Sequence, residues 1–169
     1  EQFTADIMHT TAGHPECIIK VLDLYREKKG LPPVFMREHS TQIWDGIVQP
    51  KITDIRSGIP EHLHPIFSTL SIFREFNVAI LENLIKDGDI AWSKSKHQLA
   101  DELTGTFLYE RNGRVLRDSI TRRLFVLERR RLLEGQAFSL ACQKAYDLYF
   151  SMLNQHSDAW AVECFFFFF

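Results

Sequence analysis

Apolar residues recur along most of this chain at the spacing of an amphipathic helix. Ile18, Val21, Leu22 and Tyr25 fall at i, i+3, i+4 and i+7 and predict one apolar face. Pro15 suits the first turn of that helix, where its missing N–H costs nothing. Glu16 sits near the positive start and Lys28-Lys29 near the negative end. Gly30 is expected to stop the helix and Pro32-Pro33 to prevent its return. Upstream, Phe3, Ile7 and Met8 read as the end of a helix broken by Gly13-His14-Pro15. Residues 34–49 predict a helix with Phe35, Ile43, Trp44 and Ile47 inward and Gly46 weakening its end, and Pro50 to Pro60 reads as a connection. Ile66, Phe67, Leu70 and Phe73 predict a further helix, from Glu61 or Pro65 to Phe76.

The next stretch changes period. Asn77 can cap a helix with Leu81, Leu84 and Ile85 inward and Gly88 at its end, and Ile90-Ala91-Trp92 reads as a short strand. Ser95 and Gln98 have capping-box spacing, and Leu99 and Leu103 share a face of the helix they open. Phe107 to Arg111 and Arg114 to Arg117 are strand-forming runs around Asn112-Gly113, a dipeptide that accepts the positive φ angles of a type I′ turn. Asp118 or Ser119 then caps a helix to Leu132. Ile120, Leu124 and Leu127 form its inner stripe, and its arginines lie largely elsewhere. Gly135 breaks it before a last helix over residues 139–154, with Ala141, Ala145, Leu148, Tyr149 and Met152. Helix, helix, hairpin is the order of a winged helix-turn-helix. That module binds DNA in some proteins and serves packing and signalling in others. The expected fold is therefore mostly α (α+β). A helical subdomain over residues 1–59 is followed by a winged helix-turn-helix domain with one β-hairpin and C-terminal helices over residues 60–164. The phenylalanines at 165–169 follow no period and are expected to stand outside the fold.

Composition narrows the classes. A length of 169 residues allows one domain or two small ones, and 45% hydrophobic residues against 25% charged are enough for a core. A net charge of −2 gives no global electrostatic case for nucleic acid or membrane. Cys17, Cys142 and Cys164 are odd in number and widely spaced, as expected of reduced thiols in a cytoplasmic protein. The longest apolar run, Phe165 to Phe169, is far too short to span a bilayer, and no signal peptide is recognisable. The chain opens on Glu1 without a methionine, so it is expected to be a piece of a longer protein.

Locally, charge is uneven. Between Arg111 and Arg131 stand eight arginines against two acidic residues, Asp118 and Glu128. One reading is a phosphate-contacting surface for DNA built from Lys96, Arg111, Arg114, Arg122 and Arg123; the other is a solvated helix face with ion pairs. The helix before the hairpin would enter the major groove, and it carries Asp101 and Glu102, which phosphate repels. The Thr11-Ala12-Gly13-His14-Pro15 turn is helix punctuation unless a neighbour binds against it. His14 with Cys17, and His62 with His64, have pairwise ligand spacing, but nothing completes a metal site, and Cys17 on an apolar face reads as a buried, inert thiol. No catalytic residue is assigned, and no GxxxxGK[ST] or GxGxxG sequence supplies a phosphate cradle.

Taken together, TAGHPECIIKVLDLY, LSIFREFNVAILENLI and GRVLRDSITRRLF resemble the C-terminal half of the nucleotide-binding module of STAND-type (NB-ARC-like) signal-transduction ATPases. In that family a helical lid carries a G-x-P turn, here Gly13-His14-Pro15. A winged helix follows, often with an L-x-x-F sequence like Leu70-Ser71-Ile72-Phe73. An M-H-D-type motif closes the wing, at the position of Leu116-Arg117-Asp118. The resemblance spans residues 10–153. It implies a non-catalytic regulatory segment that works through interdomain or protein–protein contacts. Gly13, His14, Pro15, Arg117 and Asp118 would contact ADP or ATP in the parent protein. Arginine replaces the family's histidine at Arg117, and the P-loop half is absent, so the chain alone is expected to hold no cofactor. The partner is then the rest of the parent ATPase or another protein. The alternative is a winged-helix transcriptional regulator that binds DNA.

Overall fold

The computed structural model describes residues 2–104, 120–133 and 135–156. It is mostly helical, and no strand occurs among these residues. The Asn112-Gly113 hairpin, the caps at Asp118 and Ser119, and the phenylalanine tail lie outside the described residues.

Helix α1 (Gln2–Thr10) runs into the Gly13 turn, and α2 (Pro15–Lys28) follows with Pro15 in its first turn. Cys17 and Val21 are its buried residues, while Ile18, Leu22 and Tyr25 are partly buried at the edge of the core. The helix ends on Lys29, which takes the left-handed conformation (φ 50°) and donates its N–H to the Tyr25 carbonyl. The stop therefore comes one residue before Gly30.

From Pro32 the backbone stays helical almost to Gly58. The run consists of α3 (Pro32–Glu38), α4 (Ser40–Ile43), one π-helical turn (Trp44–Val48) and α5 (Gln49–Ser57). The expected connection from Pro50 is thus corrected to a helix. Proline has no N–H to give the ladder, and the wide π turn directly before Pro50 places it in the first turn of α5, where none is required. Phe35, Ile43, Ile47, Val48 and Ile52 then follow one another into the core.

A 3-10 turn (Glu61–Leu63) leads into α6 (His64–Leu70). The apolar spacing predicted helix as far as Phe76, yet the helix stops at Leu70. Tertiary partners take the backbone groups that would have continued it. Arg122 Nη1 donates to the Ser71 carbonyl at 2.9 Å. The Tyr149 hydroxyl accepts from the Glu75 N–H at 3.2 Å and donates to the Glu75 carbonyl. Phe73 and Phe76 stay buried without the helix.

Helix α7 (Val78–Lys86) starts where expected, with the Asn77 side chain accepting from the Ile80 N–H at 3.0 Å. Ile90-Ala91-Trp92 is not a strand. The Ile90 N–H is bonded to the Leu84 carbonyl and the Trp92 indole to the Ser95 carbonyl, which makes a compact turn. The capping box at α8 (Lys96–Thr104) is present in both directions: the Gln98 N–H donates to Ser95 Oγ at 3.2 Å, and the Ser95 N–H donates to Gln98 Oε1 at 3.1 Å. Leu99 and Leu103 face inward from it.

Helix α9 (Ile120–Leu132) lies against both α5 and α6, and α10 (Gln136–His156) adds Ala145, Tyr149 and Met152 to the core. Gly135, at φ +40°, allows the chain to turn between them. The buried apolar residues form one cluster from Ile7 to Met152. Each fully buried Leu, Ile or Phe in it contributes about 1.5–3 kcal/mol.

Candidate functional site

The turn after α1 closes as a paired helix cap. The Gly13 N–H reaches back to the Met8 carbonyl at 2.9 Å and the Ala12 N–H to the His9 carbonyl at 3.4 Å, the two bonds of a Schellman motif. Thr11 is buried, and its hydroxyl donates to the Ile7 carbonyl at 2.7 Å. Ala12 (φ 54°) and Gly13 (φ 73°) are both left-handed. A Cβ on Gly13 would stand 3.2 Å from the mobile Met8 methyl and 3.8 Å from Arg123 Nη1, so its left-handed φ, more than space, favours glycine.

That close approach of Arg123 shows what faces the turn. Met8, His9, Ala12 and Gly13 form one wall of a cavity of about 420 Å³. Arg122, Arg123, Val126, Leu127 and Arg130 of α9 form the other, and Phe138 of α10 also lines it. The Gly13 turn and the arginine-rich helix, two separate candidates in the sequence, are thus the two sides of one site. Arg123, Val126, Leu127 and Arg130 fall at i, i+3, i+4 and i+7 and share a face of α9. Arg130 Nη1 lies 3.5 Å from His9 Nε2.

The arginines divide by position. Arg122 was expected outside the inner stripe, but it is buried and donates to Ser71 O, which places it in the floor. The Ser71 carbonyl ends α6, and such a group needs a donor. Glu128 is also buried, held by Arg56 and by Gln49 Nε2 at 3.3 Å, with the Arg56 guanidinium 5.6 Å from the centre of the Phe125 ring. Ile120, placed in the inner stripe by its spacing, is exposed, and Phe125 takes its place in the core. Burial pushes the Arg129 guanidinium down, partly offset by Asp89. Arg131 stacks over Trp44 at 4.7 Å.

His14 and Pro15 do not line the cavity. Burial and then the Lys51 charge hold His14 below the ordinary histidine range, while Lys20 and Lys51 hold the Glu16 carboxyl at about 2. Of the residues expected to contact nucleotide, Gly13 alone lines the cavity among those described. Arg117 and Asp118 lie outside the described residues. Of those proposed for DNA, Arg111 and Arg114 also lie outside them. Lys96 is ion-paired to Glu82, Arg122 is buried and Arg123 faces the turn. On α8, Asp101 is exposed, and Glu102 pairs with His62 at 2.7 Å and Lys94 at 3.0 Å.

The thiol and metal candidates have other roles. Cys17 is 1% exposed, its sulfur lies 4.0 Å from the Ile47 carbonyl, and burial raises its pKa, as suits an inert structural thiol. His64 Nε2 lies 3.1 Å from the Arg56 carbonyl and 2.8 Å from that of Ile59, joining the end of α5 to the start of α6. Among the described residues no group of three His, Cys, Asp or Glu could hold a metal ion, and no helix is long and apolar enough to cross a membrane.

No protein-family model, curated protein or solved structure matches this chain. Met8, His9, Val126 and Phe138 were not singled out in the sequence as site residues. The periodic Arg123-Val126-Leu127-Arg130 face was the signal available for part of them.

Proposed function

We propose that this chain is a non-catalytic regulatory segment of a STAND-like signalling ATPase, acting through interdomain or protein–protein contacts. One observation carries the reading: the Gly13 turn is paired across a cavity with the basic face of α9. A lid that responds to bound nucleotide needs its turn set against cationic groups, because phosphate is read by such groups and a purine by apolar walls. Arg56–Glu128 and Arg122–Ser71 tie α9 to α5 and α6, so a push on the turn reaches the helices behind it. Catalysis and the primary phosphate cradle would belong to the preceding part of the parent protein.

The test begins with the coding sequence upstream of Glu1. A strand, a GxxxxGK[ST] loop and a helix are expected there, and the longer product should purify with ADP bound. Gly13→Val, which puts a branched side chain at a left-handed residue, should lower ADP retention. A start codon directly before Glu1, or a longer product that holds no nucleotide, would sink the proposal.

A further inference from the structure

We infer that the cavity between α1 and α9 is a binding site of the chain by itself, for a small amphiphilic anion: one carboxylate or phosphate on an aromatic or aliphatic body. Its size of about 420 Å³ lies within the range of small-molecule sites, about 300–1,000 Å³. Its walls have two chemistries. Met8, Val126, Leu127 and Phe138 supply apolar surface for the body of a ligand, and among the described residues no aspartate or glutamate lines the cavity. Also in the lining, Arg130 Nη1 lies 3.5 Å from His9 Nε2, so a guanidinium and an imidazole stand side by side. Among the described residues no carboxylate pairs with Arg130, whereas Lys20, Lys51, Lys94, Lys96, Lys144 and Arg56 each have one. An anion seated there completes the Arg130–His9 pair with charge-assisted hydrogen bonds, which a planar guanidinium gives well to carboxylate or phosphate. The apolar body then covers Val126 and Leu127, the middle of the same α9 face.

Three ligands with one body test it on the full chain: 1-naphthoate, 1-naphthyl phosphate and the uncharged 1-naphthalenemethanol. Binding is followed by titration calorimetry and by the methyl resonances of Val126 and Leu127. At least one anion is expected to bind saturably, about tenfold or more tighter than the alcohol, and to shift those methyls. The tighter anion identifies the head group. Arg130→Gln, a change at an exposed position, should weaken that anion about tenfold, the scale of one charge-assisted hydrogen bond, and leave the alcohol unchanged. Lys20→Gln, remote from the cavity, should change neither. Absence of saturable binding by both anions would overturn the inference. So would equal affinity for anion and alcohol, or an Arg130→Gln variant that binds the anion as well as the parent chain.

Discussion

The two sides of α9 are built from the same residue types and do opposite work. Toward α5 and α6 it presents Leu124 and Phe125 with Arg122 and Glu128, all buried and all engaged. Toward the Gly13 turn it presents Arg123 and Arg130, both exposed, on either side of Val126 and Leu127. On the inner side Arg122 completes a backbone carbonyl and Glu128 is neutralised by Arg56 of α5, so removing a partner leaves a buried group unsatisfied. On the outer side Arg130 is exposed and keeps its water, so its removal costs the fold little. Arginine count therefore says little about this helix until each residue is assigned to a side.

The comparison can be broken first at Phe125. Phe125→Ala should destabilise the chain by about 3–5 kcal/mol in urea unfolding, because the ring is buried and also faces the Arg56 guanidinium. A loss below about 1 kcal/mol would mean that the inner side is not core. Glu128→Ala comes next, at about 3 kcal/mol. It sits at the low end for a broken buried pair because the Arg56 side chain is 27% exposed and regains water. Arg56→Ala in the same background should add much less than it does alone, and simple additivity would disprove the coupling. Asn77→Ala, which removes one cap bond away from α9, should cost about 1 kcal/mol and gives the scale of a single side-chain contact. Arg130→Gln should shift stability by less than about 0.5 kcal/mol; a larger loss would erase the distinction between the two sides.

The smallest effect concerns acid. The Glu16 carboxyl, lowered to about 2 by Lys20 and Lys51, adds stability that is present above the unfolded value of 4.5. That stability is lost as pH falls through about 2. The melting temperature of Glu16→Gln should therefore fall less than that of the parent chain between pH 5 and pH 2. Added salt should narrow the difference, since the carboxylate is solvent-exposed. Parallel curves at low salt would show that the pair contributes nothing to acid sensitivity.

Much of the secondary structure was legible in the sequence because its causes are local. The start of α2 at Pro15, the Asn77 cap and the Ser95–Gln98 box each depend on groups within one helical turn, and each is present. The structure departs from the sequence expectation where a distant group, or an irregular neighbouring turn, decided the outcome. Helix α6 stops at Leu70 because residues from α9 and α10 take the following backbone groups, far beyond any local window. Pro50 reads as a break in isolation and as a first-turn residue once the π turn precedes it.

The candidate site divides in the same way. By itself the sequence determined that glycine follows α1 and that arginines crowd α9, since both are statements about residue type and spacing. It could not determine that the turn and the helix, more than a hundred positions apart, form opposite walls of one cavity. Nor could it place Arg122 inside and Arg123 outside, because adjacent helix positions differ by about 100° and only the packing of α5 and α6 fixes which direction is inward. Local spacing set the helices and their caps; long-range packing chose which charges were buried and which stayed at the surface.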